Sequence, residues 1–426
     1  MKMEVIKNAR LDEQYHKITL DNGLTVLVYP MPQKEGVYAL LGAKIGSTTR
    51  DFILGDKRVK VPSGIAHFLE HKLFENENED AFELFAKTGA NANAYTSYDK
   101  TCYLFSASIN IEQSLRTLIR FVTAPHFTAE TVDKEQGIIG QEIKMYDDNP
   151  DWALATMSLQ SLYKKHPVRD DIAGSVESIS EITPELLYTC YNAYYRPANM
   201  ALSIAGNITA EQVLQICEEE YAGVGVPSET VETLAIDEPC DIVSKYCEKQ
   251  MQVCAPQFCL GFKEQPHGAE KRAKRELACR IAMELIGGET SNLYRRMYDS
   301  GLVNDMFDAS VLDAEDYLCI MFSGESEQPQ KVVEEIYREL EEFKKNGIDE
   351  ERFVECKRAF LGNYLCGYDS TETTATKMLY SHFKNASIYD TIDDIENISK
   401  EDIEQQIRSM FSKEQSSLSV IKPIKE

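Results

Sequence analysis

Residues 63–75 read Ser-Gly-Ile-Ala-His-Phe-Leu-Glu-His-Lys-Leu-Phe-Glu, and this stretch predicts a helix that carries a metal site. His67 and His71 are four residues apart, so on an α-helix they project from one face and their imidazoles can converge on one ion. A catalytic zinc site uses such a pair with one further ligand, and it leaves an open position for water. Glu70 lies beside His71, where a carboxylate can accept the proton of that water as the general base.

The residues around the two histidines are typical of a half-buried helix. Ser63 stands where a hydroxyl can cap the first N–H groups, and one side of the helix is apolar, with Ile65, Phe68, Leu69 and Leu73. The alternative interpretation is two histidines on an ordinary helix, with Glu70 as part of its surface. The chain has only 7 histidines, and the pattern His-x-x-Glu-His should arise by chance in roughly one such chain in a hundred. The zinc interpretation is therefore favoured.

Further stretches accompany this motif, which is the inverted form of His-Glu-x-x-His. They are Leu-Asp-Asn-Gly-Leu-Thr-Val at 20–26, Gly-Ala-Asn-Ala-Asn-Ala-Tyr-Thr-Ser at 89–97, Tyr-Arg-Pro-Ala-Asn-Met at 195–200 and Leu-Ser-Ile-Ala-Gly at 202–206. With them the chain resembles the pitrilysin/insulinase family of zinc peptidases (inverzincins), which includes the mitochondrial processing peptidase. The resemblance covers essentially the whole chain and is densest over residues 18–206.

The resemblance implies the remaining metal ligand. By it Glu142 is the third zinc ligand, and Glu135 supports the metal site from outside the ligand set. The two glutamates are seven residues apart and share a helix face. The neighbours of Glu142 at 137–143 are largely apolar, which favours a carboxylate directed inward, although an exposed helix carboxylate is the alternative for each.

The resemblance also implies a substrate site at Asn93, Ala94 and Tyr95. An extended peptide can add to an exposed edge strand through main-chain hydrogen bonds, so that varied sequences are accepted. Asn93 would fix the substrate backbone near the scissile bond. The alternative is an interior strand that is paired on both sides.

Composition excludes several classes of protein. The chain has 426 residues and a net charge of −25, and nucleic-acid binding would need the basic surface that this charge excludes. No stretch approaches the roughly 18–20 apolar residues of a membrane span, and the first ten residues have no apolar core of a secretion signal. The 11 cysteines are an odd number without a Cys-x-x-Cys pair, as in a reduced cytoplasmic protein. We therefore expect a cytoplasmic protein that binds neither nucleic acid nor membranes.

The chain divides into two halves that resemble each other. Residues 223–250 are rich in Gly, Pro, Ser and acidic groups, which predicts a linker between a zinc-bearing domain at 1–222 and a related domain at 251–426. Strands and helices are mixed in each half, an α+β pattern with an antiparallel-rich sheet packed against helices. In the resembling family two such subunits close like a clamshell, and we expect one subunit here.

The second half keeps the pattern of elements and loses the ligands. Thr128 aligns with Asp349, an offset of 221, and the same offset places Cys356 at the position of Glu135 and Asn363 at that of Glu142. The helix that matches the metal helix reads Leu-Ala-Cys-Arg-Ile-Ala-Met-Glu and contains no histidine. We therefore expect one Zn²⁺ per chain.

The same resemblance predicts a partner. Family members of this type usually carry an Arg and a Tyr, seven residues apart, that contact the substrate from the second domain. Tyr298 and Asn304 occupy these positions here, and the nearby Arg295 and Arg296 read as surface charges. We therefore expect a heterodimer with a related subunit that lacks zinc ligands, with a homodimer as the alternative.

The predicted function is a zinc-dependent endopeptidase or oligopeptidase that hydrolyses peptides or unfolded protein segments inside a closed chamber. Two alternatives remain at this stage. The chain is either the metal-binding subunit of a maturation factor with one dedicated precursor, or a non-catalytic scaffold subunit. The intact His67, Glu70, His71 and Glu142 argue against the scaffold.

Overall fold

The computed structural model describes residues 1–75, 80–264 and 269–424. Strands and helices are mixed along the whole chain, which confirms the predicted α+β class. Up to residue 220 the elements are β1 (Lys2–Asn8), β2 (Glu13–Thr19), β3 (Thr25–Pro30), β4 (Val37–Ala43), β5 (Asp51–Leu54), β6 (Lys57–Lys60), α1 (Ile65–Phe74), α2 (Ala81–Thr88), β7 (Asn91–Thr96), β8 (Thr101–Ala107), α3 (Ile111–Thr123), α4 (Ala129–Asp147), α5 (Pro150–Leu162), α6 (Val176–Ile179), α7 (Pro184–Tyr194), β9 (Met200–Gly206) and α8 (Ala210–Glu220).

The later elements follow the same mixture. They are β10 (Val231–Thr233), β11 (Tyr246–Met251), β12 (Gln257–Glu264), α9 (Ala269–Gly287), α10 (Asn292–Asp299), β13 (Asp308–Asp313), β14 (Leu318–Glu325), α11 (Pro329–Asn346), α12 (Glu350–Cys366), α13 (Thr371–Phe383), α14 (Asp390–Asn397), α15 (Lys400–Met410) and β15 (Ser416–Pro423). Within the described ranges, no helix is both long and apolar enough to cross a membrane.

The chain forms two compact units, each assembled from separate segments. The first unit contains Met1–Ile143, Asp171–Leu234 and Leu365–Thr391. The second contains Lys144–Asp170, Ala235–Tyr364 and Ile392–Glu426. Two segments depart from a simple division of the sequence, because Lys144–Asp170 belongs to the second unit and Leu365–Thr391 to the first. The division into domains at 1–222 and 251–426 stays a prediction.

The first unit is built on a seven-stranded sheet in the order β1-β2-β3-β9-β4-β8-β7. The pair β3–β9 is parallel, and the other neighbours are antiparallel. The central strands β4 and β9 read VYALLGA and MALSIAG and are almost entirely buried, as expected for strands covered on both faces. α13 packs against β3, β4 and β9, whereas α1 packs against β7 and β8. The metal helix predicted from the sequence therefore lies against one edge of this sheet.

The second unit contains a five-stranded sheet in the order β11-β15-β12-β14-β13. Its β11–β15 pair is parallel and the remaining pairs are antiparallel. This is the same sequence of pairings as β3-β9-β4-β8-β7 in the first unit. The two halves therefore share a topology, as the internal repeat predicted.

The starts of two long helices agree with the repeat offset. The Thr128 hydroxyl accepts the Thr131 N–H at 3.2 Å and so caps α4. A side-chain oxygen of Asp349 accepts the Arg352 N–H at 3.0 Å and caps α12 in the same way. The predicted linker at 223–250 contains two strand segments, because β10 pairs with β5 and β11 pairs with β15.

The prediction that Ser63 caps the metal helix is wrong. The residue before α1 is Gly64, with a φ of 87°, and no side chain caps the helix. A side chain at position 64 would clash with the backbone of the loop before α6, because an added Cβ would lie 2.3 Å from the Ala173 carbonyl oxygen. This close approach and the left-handed backbone require glycine. The chain therefore enters the helix in a direction that leaves the Ser63 hydroxyl unable to cap.

Candidate metal centre

The metal helix α1 is buried along nearly its whole length. Its apolar residues pack into the core of the first unit, and His67 and Glu70 are each only 8% exposed. Polar side chains at such depth need hydrogen-bonding or charged partners, because burial of an unpaired polar group costs free energy. The partners of these side chains therefore define the chemistry of the site.

Three side chains predicted as metal ligands converge. His67 Nε2 lies 3.8 Å from Glu142 Oε1, and His71 Nε2 lies 3.5 Å from Glu142 Oε2. One ligand atom from each of His67, His71 and Glu142 falls within 4.8 Å of the others. Tetrahedral zinc with bonds of about 2.0–2.1 Å holds its ligand atoms about 3.3 Å apart. The two imidazoles and the carboxylate therefore fit a zinc ion in both donor type and spacing.

Glu135 contacts one of the two histidines on the side away from Glu142. Its Oε1 lies 3.0 Å from His71 Nδ1, and the glutamate is buried, with 7% of its surface exposed. A carboxylate at this distance accepts the Nδ1 proton and leaves the Nε2 lone pair directed at the other ligands. The structure thus places Glu135 where an orienting partner of a metal-binding histidine would stand.

The two histidines have opposite electrostatic environments. Burial, with a further contribution from the neighbouring His71, lowers the pKa of His67 to about 4, so this imidazole is neutral at neutral pH. Burial also acts to lower the pKa of His71, but the hydrogen bond to Glu135 and the surrounding carboxylates outweigh it and raise that pKa. Metal ligands must be neutral imidazoles, so a cation would compete with a proton on His71.

Glu70 is held by a residue that the sequence analysis did not identify. The Thr96 hydroxyl donates to Glu70 Oε2 at 2.6 Å. Burial raises the pKa of Glu70, and this hydrogen bond opposes that shift. No spacing rule points to Thr96, because the bond joins residues 26 apart in sequence and depends on how β7 lies beside α1.

A second missed contact lies at the end of α1. Lys72 is completely buried and forms an ion pair with Glu75. The other oxygen of Glu75 lies 3.4 Å from Lys134 Nζ on α4. A buried lysine beside a candidate ligand such as His71 has no sequence signature, since the residue type alone predicts exposure.

The predicted substrate strand is an edge strand. β7 is the last strand of the seven-stranded sheet, so among the residues that the structure describes Asn93, Ala94 and Tyr95 lie on a strand that pairs on one side only, with β8. The Asn93 side-chain oxygen accepts the N–H of Ala94 at 2.9 Å. The Tyr95 hydroxyl lies 2.8 Å from that of Tyr380 on α13. The interior-strand interpretation is excluded, and the role of these residues in peptide binding stays a prediction.

Tyr298 and Asn304, at the positions of the expected Arg and Tyr pair, lie on α10 and in the segment that follows it. Tyr298 is 50% exposed on α10, and the Asn304 side chain donates to Glu325 at 2.8 Å. Arg296 forms ion pairs with Glu339 and Glu335 at 2.8 and 3.6 Å. Arg296 is thus part of a local ion-pair network of the second unit, and Asn304 is bound to its neighbouring strand.

Models of two protein domains match the chain. The insulinase (peptidase family M16) model matches residues 60–176, which include the His-x-x-Glu-His motif and Glu142. The model described as the peptidase M16 inactive domain matches residues 181–360. The boundary between the two matches precedes α7.

Relatives of similar length extend this likeness over the whole chain. A Bacillus subtilis (strain 168) protein, described as the uncharacterized zinc protease YmfH, is 37% identical over 408 residues, or 95% of each chain. The crystal structure of an M16-like peptidase from Alicyclobacillus acidocaldarius is 31% identical, with a TM-score of 0.93 and coverage of 100% of this chain and 99% of that one. A Helicobacter pylori protease, 21% identical with a TM-score of 0.83, covers 96% and 99% and shares the fold.

Proposed function

The chain belongs to the insulinase family of peptidases, family M16, and from that premise we propose that it hydrolyses peptide bonds with the help of a single zinc ion. The observation that carries the proposal is the convergence of His67, His71 and Glu142 within 4.8 Å, with Glu70 next to them on α1. These residues would hold the ion. Zinc in such a site supplies a Lewis acid that acidifies bound water and polarises the scissile carbonyl.

Glu70 is the proposed general base. It stands on the same helix as both histidines and has no place among the three converging ligands. Its carboxylate accepts a proton from the attacking water and then delivers it to the nitrogen of the leaving amine. Its buried position keeps bulk water from competing for that proton.

Glu135 would keep the site in the correct protonation state. Its carboxylate accepts the Nδ1 proton of His71 and so fixes the tautomer whose Nε2 can bind a cation. His67 differs from His71 in this respect. Its Nδ1 is buried and has no hydrogen-bond partner in the described part of the chain. His71 is therefore the histidine whose orientation depends on a neighbour.

The substrate would bind as an extra strand beside β7. The edge of the sheet offers main-chain groups to an extended peptide regardless of its side chains. The Asn93 side chain already bonds to the Ala94 N–H, so it would have to release that group when a peptide adds. The substrate class is then a peptide or an unfolded protein segment.

Substitution of the base tests the proposed function. Glu70→Gln keeps the shape of the side chain and removes the proton acceptor, so turnover should fall by roughly 10²- to 10⁴-fold while the zinc content stays that of the wild type. Cleavage of a mixed peptide library, read by mass spectrometry, measures both the turnover and its breadth. Broad cleavage indicates an oligopeptidase, and cleavage of one precursor alone indicates a maturation factor. An unchanged rate in Glu70→Gln would contradict the role of Glu70.

We further propose that the chain acts with a related subunit that lacks zinc ligands. The supporting observation is that an exposed tyrosine, Tyr298, and the strand-bound Asn304 stand where family members of this type carry a substrate-binding Arg and Tyr. A partner subunit would supply that pair. The purified chain should bind zinc and cleave peptides slowly, and the partner should restore the rate. Full activity at concentrations where the chain is monomeric would contradict both the heterodimer and the alternative homodimer.

A further inference from the structure

Glu70 accepts a hydrogen bond from the Thr96 hydroxyl, which is not part of the candidate metal site. Glu70 is 8% exposed, and a buried carboxylate requires donors for its oxygens. Thr96 Oγ1 lies 2.6 Å from Glu70 Oε2. This distance is in the range of O–H···O⁻ bonds to an ionised carboxylate, which are shorter and stronger than those between neutral groups.

Thr96 is itself fixed in place by its neighbours. It is the last residue of β7 and pairs with Thr101, the first residue of β8. The Thr101 hydroxyl donates to the buried Ile45 carbonyl at 2.9 Å and lies 3.4 Å from the Thr96 hydroxyl. The γ-oxygen of Thr96 is thus held on the side of the strand that faces α1. It is a pre-positioned donor rather than a freely rotating surface group.

The same strand presents its main chain to the open edge of the sheet. In an antiparallel pair the residues alternate between those that bond to the partner strand and those that point away from it. The Ser97 N–H bonds back to Lys100, whereas the Ala94 N–H is taken by the Asn93 side chain. Thr96 lies two residues after Ala94 and therefore has the same orientation in the strand. Its N–H and C=O point to the open edge of the sheet, while its side chain contacts Glu70.

We propose that Thr96 is a positioning residue that couples the peptide-binding strand to the general base. Its hydroxyl holds Oε2 of Glu70, which leaves Oε1 to accept the proton of the attacking water. Its main chain lies on the edge where the peptide is proposed to add. The inference rests on the proposed function, since it concerns the base of that reaction. A peptide that binds beside β7 therefore acts on the strand that orients the carboxylate.

Two substitutions of Thr96 separate its hydroxyl from its shape. Thr96→Val replaces the hydroxyl with a methyl of nearly the same size, whereas Thr96→Ser keeps the donor. We expect kcat to fall about 10- to 100-fold in Thr96→Val, the usual range for loss of an outer partner that orients a reactive group. KM and zinc content should be unchanged, and Thr96→Ser should stay close to wild type.

Thr88→Val is the matched control. The Thr88 hydroxyl is buried in the first unit and donates at 2.8 Å to the Phe85 carbonyl of its own helix α2 rather than to Glu70. Its loss should lower stability without changing kcat. A Thr96→Val enzyme as active as the wild type would overturn the coupling, as would a Thr96→Ser enzyme as impaired as Thr96→Val.

A crystallographic readout keeps the inference testable if the wild type cleaves no peptide either alone or with its partner subunit, an outcome that would refute the proposed function instead. Crystal structures of wild type, Thr96→Val and Thr96→Ser would then be compared at the Glu70 side chain. The inference predicts that the carboxylate rotates away from its wild-type position in Thr96→Val and keeps it in Thr96→Ser. An unmoved carboxylate in Thr96→Val would overturn the positioning role.

Discussion

The metal helix α1 and its counterpart α9 lie beside sheets of the same topology and carry opposite chemistry. The edge strand β7 ends at Thr96, which pairs with the first residue of β8, and β13 ends at Asp313, which pairs with the first residue of β14. Thr96 bonds to Glu70 on α1, whereas Asp313 accepts a hydrogen bond from Arg280 on α9 at 2.8 Å. At equivalent positions the first unit has a buried carboxylate and the second has a guanidinium.

The candidate metal ligands of the first unit are also replaced in the second unit. Counted from Glu70 and Arg280, the two histidine positions correspond to Leu277 and Ile281, which are 7% and 0% exposed in the core of the second unit. The repeat offset places Cys356 and Asn363 at the two glutamate positions of α4. The backbone arrangement is therefore not sufficient for the chemistry. At these positions the first unit has side chains that could hold a metal ion, and the second unit has residues that pack in a core.

The largest effect is expected at the second histidine position. His71→Ala removes a ligand and should abolish stoichiometric zinc binding, whereas Ile281→Ala at the matching position should leave the zinc content unchanged. The latter should instead cost about 2–5 kcal/mol in the free energy of unfolding, since it leaves a cavity in a packed core. Metal analysis and chemical denaturation of both variants make the comparison. Equal zinc in His71→Ala and wild type would show that the site is misplaced.

A smaller effect is expected at the position that is Glu135 in the first unit and Cys356 in the second. Glu135→Gln removes the proton acceptor of His71 Nδ1 and should weaken zinc affinity by about 10- to 100-fold. Cys356→Ala changes the matching residue of α12 and should leave the affinity unchanged. Competition with a chelator of known zinc affinity measures both. If the two variants bound zinc equally well, the orienting role of Glu135 would be lost.

The smallest effect is expected at Glu238, a buried carboxylate of the second unit that is stabilised by an ion pair instead of a metal. Glu238 pairs with Lys263, and the two side chains are 8% and 3% exposed. Burial acts to raise the pKa of Glu238, but Lys263 and the N–H groups of Lys164, Lys165 and His166 outweigh it and lower that pKa below 4.5. The stabilisation is therefore complete above about pH 4.5 and is lost as the pH falls through the lower, folded-state value.

Glu238→Gln should accordingly reduce the free energy of unfolding at pH 7 by roughly 1–3 kcal/mol. Its stability should also depend less on pH between 5 and 3 than that of the wild type, as measured by denaturation at several pH values. Glu414→Gln, in the exposed pair with Lys245, is the control and should change neither. If Glu238→Gln lost as much stability at acid pH as the wild type does, the acid-dependent loss of stability would come from other carboxylates.

Local patterns in the sequence predicted local structure well. α3 covers Ile111–Thr123, and the amphipathic pattern of these residues with the following Pro125 is sufficient to indicate this helix from neighbouring residues alone. The start of α12 at Asp349, 221 residues after Thr128, was also predicted. The family resemblance supplied Glu142 and Glu135, which no spacing rule relates to the histidines across more than 60 residues.

What the sequence did not predict depends on packing between distant segments. α13 comes from the second half of the chain, yet its residues pack on the first sheet, where the Ser203 hydroxyl donates to the Ala375 carbonyl at 2.7 Å. The bond from Thr96 to Glu70 and the buried Lys72 belong to the same class. Hydroxyls and lysines occur throughout the chain, and only the folded structure distinguishes these from the exposed ones.

The most direct test of the account is to locate the metal itself. Crystals of the zinc-loaded chain, measured on both sides of the zinc absorption edge, give an anomalous difference map that shows zinc and no other atom. The account predicts one peak per chain, bounded by His67 Nε2, His71 Nε2 and Glu142, and none beside Leu277 and Ile281. A peak in the second unit, or a zinc ion away from these three side chains, would contradict it.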